Sequence, residues 1–334
     1  MRRPITAPLV ALLALGCVAP ADDDGFERRA GLFRVVLVPD TQCYALHYPD
    51  IFQAQGDWIA RHLDDLDVRA VAHLGDITEH NDAAQWRVAQ GALAPLFGRV
   101  PLALAPGNHD LGVGGSAADR SSMLEAFFPL DEMAAAPGFV ESYDGAPGNT
   151  AWLFSGELHD YVWIGVEFAP RDDVVRWARD VLAAHPTRIG IVSTHAYLDA
   201  EGRRYDHQDA SEQPFCPYEY GVASVDANDG EELFAGALAP SPNARLVFSG
   251  HVPNGFAHSV DVNDAGAEVH QVMADYQTGT VCPETGGDGN GFLLAVELEE
   301  DAAGVDVRVR SYSPWLDEHH PTHGATFRLE APET

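Results

Sequence analysis

Five short apolar runs in this chain each end in a side chain that can ligate a metal. That repetition constrains the fold more than any other feature. Val35-Val36-Leu37-Val38 leads through Pro39 to Asp40, and Val71-Ala72-His73-Leu74-Gly75 leads to Asp76. Leu102-Ala103-Leu104-Ala105-Pro106 leads to Gly107-Asn108-His109-Asp110. Ile189-Gly190-Ile191-Val192-Ser193-Thr194 leads to His195, and Leu246-Val247-Phe248-Ser249-Gly250 leads to His251. Continuous apolar runs of this length read as strands buried on both faces, the habit of parallel sheets. Parallel strands bring their C-terminal ends to one edge, where open α/β sheets bind ligands. Five such ends carrying Asp, Asp, Asn, His and His predict one site made from strand ends.

Between the runs the spacing is helical. Residues 50–63 place Ile51, Ala54, Trp58, Ile59 and Leu63 largely on one face. Asp82 is a suitable N-cap for a helix running to Leu96. Residues 117–127 and 231–239 also read as helical, and residues 172–184 as an amphipathic helix. Residues 129–149 are rich in Pro, Gly and Asp and read as an irregular excursion, followed by strands at 152–154 and 161–166. From Glu268 the pattern becomes β-rich, with Val269, Val272 and Tyr276 leading to the turn cluster Gly286-Gly287-Asp288-Gly289. Strands follow at 292–298 and 305–312, the second alternating Val305, Val307 and Val309 with Asp306, Arg308 and Arg310. Strands alternating with helices, then strands in succession, predict two packed sheets with helices outside, an α/β (α+β) architecture. Residues 199–229 are long, polar and spotted with aromatics. An excursion of that length inside a domain is usually a lid or substrate loop.

Net charge narrows the partners. Lys plus Arg is 20 against 51 Asp plus Glu, a net charge of -31 over 334 residues. Such a surface repels nucleic acid and anionic membrane, so neither is expected as a partner beyond a lipid anchor. A small anionic substrate is repelled too, unless bound cations reverse the sign locally.

The N-terminus reads as an export signal: Arg2 and Arg3, then an apolar stretch over 8–18 too short to span a bilayer. Leu15-Gly16-Cys17 places a Cys where bacterial lipoproteins carry their modified residue; ordinary secretion with cleavage near Ala19 or Ala21 is the alternative. The resulting division is a signal segment 1–17, an acidic tether 18–32, and a domain 33–334, exported and either lipid-anchored in the cell envelope or secreted. Export permits disulfides. Of the remaining cysteines, Cys216 and Cys282 both lie in Pro- and Gly-rich stretches and are the expected pair, which leaves Cys43 over.

Asp40, Asp76, Asn108, His195 and His251 mix hard oxygens with imidazoles, a set suited to Mn, Fe or Zn. Two such ions share a ligand most naturally through a carboxylate, and a metal-bound water becomes a hydroxide able to attack phosphorus near neutral pH. His109, directly after Asn108, is placed to protonate a leaving group or hold the transferring phosphoryl oxygen. His73 lies within a strand and reads as core or as support for a ligand. Glu79, His80 and Asn81 read equally as substrate contacts or a solvated turn. Tyr44, Tyr197, Tyr205, Tyr218 and Tyr220 can line a pocket or pack the long loop. His319, His320 and His323 form a His-rich patch with no function assigned.

Gly75-Asp76, Gly107-Asn108-His109-Asp110, His195 and Gly250-His251, in that order at strand ends, resemble the calcineurin-like metallophosphoesterases. Met273-Ala274-Asp275-Tyr276-Gln277, Gly286-Gly287-Asp288-Gly289 and Ser311-Tyr312-Ser313-Pro314 extend the resemblance to an exported bacterial branch. It implies a four-layer αββα sandwich of two mixed sheets and a centre of two divalent or trivalent metal ions, the second the more weakly bound. In that centre Asp76 bridges, Asn108, His195 and His251 complete one metal, and Asp40 begins the other. The implied reaction is hydrolysis of small phosphomonoesters or phosphodiesters. Two positions depart from the pattern. Gln42 stands where a His is usual in the first motif, and its carbonyl can ligate. Pro253 stands where the last motif usually has a second His, and Asn254 or His258 are candidate substitutes. The departure at Pro253 supports the alternative of a non-catalytic or single-metal descendant that binds a ligand or partner at the cell surface.

Overall fold

The structure, a computed structural model, describes residues 24–209 and 213–332. Among the described residues the strands in chain order are β1 (Leu32–Val38), β2 (Val68–His73), β3 (Leu102–Leu104), β4 (Phe139–Ser142), β5 (Thr150–Ser155), β6 (Asp160–Gly165), β7 (Ile189–Ser193), β8 (Ala244–Ser249), β9 (Gly255–Val262), β10 (Glu268–Asp275), β11 (Leu293–Asp301), β12 (Gly304–Ser313) and β13 (Glu318–Glu330). They form two mixed sheets of six and seven strands, ordered β13-β12-β11-β1-β2-β3 and β4-β5-β6-β7-β8-β10-β9. Within the first, β1, β2 and β3 run parallel. Within the second, β6, β7, β8 and β10 run parallel. The apolar runs therefore are the parallel strands, β1, β2, β7 and β8 inside their sheets and β3 at the end of the first, and their burial on both faces explains the absence of alternation.

The sheets pack face to face. Phe33 of β1 meets Tyr161 of β6 and Phe154 of β5 edge-on at 5.6 and 6.4 Å. Outside the first sheet lie α1 (Gln42–His47), α2 (Pro49–His62) and α3 (Ala83–Leu93), which bury Phe52, Trp58, Ile59 and Trp86. Asp82 caps α3 as expected, accepting from the amides of Ala84 and Gln85 at 2.8 and 3.1 Å. Two short helices follow, α4 (Leu124–Phe127) ahead of the 129–149 excursion and α5 (Leu130–Met133) within it. Outside the second sheet lie α6 (Asp172–Ala184) and α7 (Gly230–Leu233), with Val174, Ala178 and Leu182 buried. This is the expected four-layer αββα sandwich. Among the described residues no helix is long and apolar enough to cross a membrane.

Four expectations need correction or fall outside. The helix over 117–127 shrinks to Leu124–Phe127, because Ala117 sits at φ 47 and the Asp119 carboxylate binds the Ser121 amide at 2.8 Å, a local bond that competes with helix. Helix 231–239 is one α turn followed by a π-helical turn, Phe234–Leu238. The described part of the acidic tether is docked rather than free: Phe26 is buried against Trp58 and Tyr312, and Arg34 donates to the Glu27 carbonyl at 2.6 Å. The signal segment and Cys17 lie outside the described residues.

Candidate metal centre and active site

Strand ends from both sheets meet at one edge. Asp40, Asp76 and Asn108 follow β1, β2 and β3; His195 and His251 follow β7 and β8. The structure brings all five together. His195 Nε2 lies 3.2 Å from Asp76 Oδ2, 3.1 Å from Asn108 Oδ1 and 3.0 Å from His251 Nδ1. The opposite nitrogens settle the tautomers. His195 Nδ1–H donates to the Leu74 carbonyl at 2.8 Å, and His251 Nε2–H donates to the Phe215 carbonyl at 2.8 Å. The inward nitrogens are thereby lone pairs, and burial with the facing His195 pushes His251 down to about 3, so it stays neutral. A carboxylate, an amide oxygen and two imidazole lone pairs thus converge with no proton to share between the imidazoles. A transition-metal cation satisfies that set, and Asp76, His195 and His251 alone place their ligand atoms within 4.8 Å of one another.

The glycines of the motifs make this approach possible. A Cβ on Gly75 would collide with the His195 ring, one on Gly107 with the Asp76 carboxylate, and one on Gly250 with the Asp40 carboxylate. Each glycine thus precedes one ligand and leaves room for another. Asp76 and His251 themselves adopt left-handed backbone, φ 47 and φ 85, strain held at the site by the surrounding fold. Asp110 ties the motif loops together, accepting from the amides of Gly107, Ile77 and Thr78 at 2.9, 3.0 and 2.8 Å.

Asp40 lies on the other side, accepting from the His251 amide at 3.2 Å. Burial, then the neighbouring charges of Asp275 and Asp76, pushes its carboxyl well above the ordinary range. Asp275, the last residue of β10, is raised chiefly by burial, and its Oδ2 has no partner. Gln42 is buried with Oε1 unpartnered. Buried carboxylates facing one another beside an unpaired amide oxygen fit a second cation. Neither proposed substitute for the missing imidazole serves. His258 bonds His270 at 3.1 Å and stacks on Phe327, while Asn254 is exposed in a turn at φ 55.

His109 flanks the centre. Its amide donates to Asp76 Oδ1 at 2.8 Å, and its Nδ1 donates to the Glu79 carbonyl at 3.0 Å with the Glu79 carboxylate at 3.6 Å. Burial opposes the imidazolium, but the charges of Asp76 and Glu79 outweigh it and raise its pKa. A cavity of about 240 Å³ opens here, lined by Gln42, Asp76, Asn108, His109, Phe215, Tyr220, His251, Pro253, Gln277 and Thr280. Phe215 and Tyr220 come from the long 199–229 excursion. Tyr44, Tyr197, Tyr205 and Tyr218 pack instead, each spending its hydroxyl on a bond within the fold. Asn81 is structural, holding Trp86 and the Met123 amide at 2.9 and 3.0 Å. His319, His320 and His323 belong to aromatic clusters on or near β13.

The expected Cys216–Cys282 bridge is replaced by Cys43–Cys282, with Cα atoms 5.1 Å apart; Cys216 is buried and unbridged. Loop composition made Cys216 look suitable. The fold instead returns the segment after β10 to the start of α1, beside Gln42. Sequence reasoning placed Asp275 and Gln277 in a motif of the resemblance but gave them no role at the site. A signal was present: Val272-Met273-Ala274 ends in Asp275, the same pattern as the five runs, on a strand parallel to β8.

With this geometry in place, relatives become informative. The sequence model of the calcineurin-like phosphoesterases matches residues 33–255, two-thirds of the chain. The chain belongs to the calcineurin-like phosphoesterase family. It is 30% identical over 295 residues to the uncharacterized protein YvnB of Bacillus subtilis (strain 168), an alignment covering 85% of this chain and 20% of that protein. The chain thus spans about a fifth of that relative's length. Among solved structures it resembles the purple acid phosphatase PPD1 from yellow lupin (Lupinus luteus) seeds, with TM-score 0.53, 12% identity, 90% of this chain and 55% of that one covered. It also aligns with GAP50, described as the anchor in the inner membrane complex of Plasmodium, at TM-score 0.48, 11% identity and 90% of both chains. Family membership supports metal-dependent phosphoester hydrolysis in general terms, and Asp76, His195 and His251 form a candidate metal site.

Proposed function

We propose that this protein is a hydrolase of small phosphomonoesters or phosphodiesters working with two transition-metal ions. The observation that carries the reading is the convergence of Asp76 Oδ2, Asn108 Oδ1, His195 Nε2 and His251 Nδ1, with the outer imidazole nitrogens committed to backbone carbonyls. These four residues hold one ion; Asp40, the shared Asp76 and Gln42 serve the other. When bound, such ions supply Lewis acidity toward a phosphoryl oxygen and lower the pKa of water. The chain supplies the rest. His109, whose protonated form Asp76 and Glu79 favour against burial, hands a proton to the leaving oxygen or holds the transferring phosphoryl group. Phe215 and Tyr220 wall the cavity and limit access of water to it. The acidic surface sets no bar to an anionic ester once cations occupy the carboxylate cluster.

The Cys43–Cys282 bridge supports placing the protein in an oxidising compartment, in keeping with an exported, lipid-anchored or secreted chain. One observation favours the second reading, a single-metal binding protein: Pro253 lines the cavity and offers no donor. Metal analysis of purified protein, paired with hydrolysis of generic mono- and diesters with and without chelator, separates the two. Metal-dependent turnover supports the hydrolase; one bound ion and no turnover on either ester class supports the binding protein.

A further inference from the structure

The missing donor at Pro253 directs attention to what stands beside it. Gln277 lines the same cavity as Gln42, Asp76, His251 and Pro253, is only 6% exposed, and has its Oε1 buried without a partner. Gln42 Oε1 shares that state. A buried amide oxygen left unpaired is costly, so two in one cavity with Asp76, whose charge and that of Asp275 bear on Asp40, call for a cation.

The chain holds Gln277 in place from both sides. Its amide donates to Asp275 Oδ1 at 2.9 Å, and its carbonyl accepts from the Asn254 amide, in the turn after Pro253, at 2.8 Å. The next residue, Thr278, is pinned through its amide and hydroxyl to buried Asp288 at 2.7 and 2.6 Å. The two motifs left without a role, Met273-Ala274-Asp275-Tyr276-Gln277 and Gly286-Gly287-Asp288-Gly289, thus form one device that fixes a glutamine at the end of β10.

We propose that Gln277 Oε1 is a ligand of the second metal, replacing the imidazole that Pro253 cannot supply. This rests on the two-metal reading above. With Asp40, Gln42 and the shared Asp76 it makes a position of oxygen donors alone. Such a set favours a hard divalent ion, Mn²⁺, over Zn²⁺, whereas the position with His195 and His251 suits Zn or Fe. The two positions therefore load different metals from a mixture.

The test is titration of metal-free full-length protein with Mn²⁺, followed by calorimetry and by the electron paramagnetic resonance of bound Mn²⁺, with Zn²⁺ titrated in parallel. Wild type binds two Mn²⁺. Gln277→Leu weakens one of them by ten-fold or more and leaves the other unchanged, while metal-free Gln277→Leu melts no lower than wild type because the deleted oxygen had no partner. Gln277→Glu keeps the shape, adds charge and tightens the same Mn²⁺. Gln277→His shifts that position toward Zn²⁺. Two unaltered Mn²⁺ affinities in Gln277→Leu, or a single Mn²⁺ in wild type, overturn the proposal. So does a Gln277→Leu that fails to fold together with a Gln277→Glu of unaltered affinity. Binding is read without turnover, so a wild type that holds two Mn²⁺ yet hydrolyses nothing sinks the proposed function and leaves this inference standing.

Discussion

The two sides of the centre are finished to different degrees. On the nitrogen side, three donor atoms lie 3.0–3.2 Å from His195 Nε2, and both imidazoles are locked from behind by backbone carbonyls. On the oxygen side, Gln42 Oε1, Gln277 Oε1 and Asp275 Oδ2 are buried with nothing to bond. The difference teaches where preorganisation lies. Histidines with a second nitrogen to anchor can be held for a metal by the protein alone. The amide and carboxylate oxygens left unpartnered here, Gln42 Oε1, Gln277 Oε1 and Asp275 Oδ2, are completed only by the ion. The nitrogen side should therefore keep its metal through purification, and the oxygen side should exchange.

The harshest way to break the comparison is to remove the residue both sides share. Asp76→Ala should eliminate both metals and lower turnover more than about 10³-fold, beyond the loss from any one stabilising group. Elemental analysis and ester hydrolysis check it; a variant that retains either metal at wild-type affinity removes Asp76 from the bridging role. Next comes His109→Ala, which should lower kcat by about 10²- to 10⁴-fold, the range for a general acid, with metal content unaltered. Metal loss in this variant would show that His109 acts by holding Asp76 through its amide's loop rather than by moving a proton.

The glycines sharpen the contrast. Gly107→Ala drives a methyl into Asp76 and should disturb both sides, whereas Gly250→Ala drives one into Asp40 and should cost the exchangeable metal first. Displacing a positioned group by about 1 Å can cost about 10² in rate. Metal stoichiometry of the two variants decides: equal losses in both would mean that the sides are not separable.

The nitrogen side was also the more legible in the sequence. Its strands β7 and β8 are buried on both faces, so the apolar run is unbroken up to the ligand. The β pattern from Glu268 was legible, but not its kinship with the five runs, because His270 and Gln271 interrupt it; in the fold His270 stacks on Phe327 and Gln271 accepts from Tyr197 at 2.6 Å, so both are polar yet buried. That interruption left Asp275 and Gln277, on the oxygen side, without a role in the reading of the sequence. β13 was illegible for the opposite reason: it is an edge strand, largely exposed, with Pro321 and Gly324 tolerated where a central strand would refuse them. The disulfide depended on which loops meet in space, which local composition does not encode.

The smallest expected effect probes the support beneath the centre. His73, completely buried in β2, accepts the Gly75 amide at Nδ1, 3.2 Å away, so its Nε2–H donates to Thr41 Oγ1 at 2.9 Å, and Thr41 in turn donates to the Ile77 carbonyl at 3.2 Å. This chain joins the Asp40 loop to the Asp76 loop and works only with neutral imidazole. Burial, helped by His195, pushes His73 down to about 3, below its ordinary 6.5. The sign follows directly. Above the ordinary value neither folded nor unfolded chain binds the proton, and the full stability is present. As pH falls below it, the unfolded chain takes up a proton that the folded chain refuses, and stability drops by about 1.4 kcal/mol per pH unit until the folded value is reached. Metal-free protein should therefore show acid-dependent destabilisation between about pH 6 and about pH 4, and His73→Gln should reduce the slope by one proton's share. Denaturant titrations across that window measure the slope. An unaltered slope in His73→Gln would place the acid sensitivity entirely in the other buried groups and leave the two loops joined by something other than this imidazole.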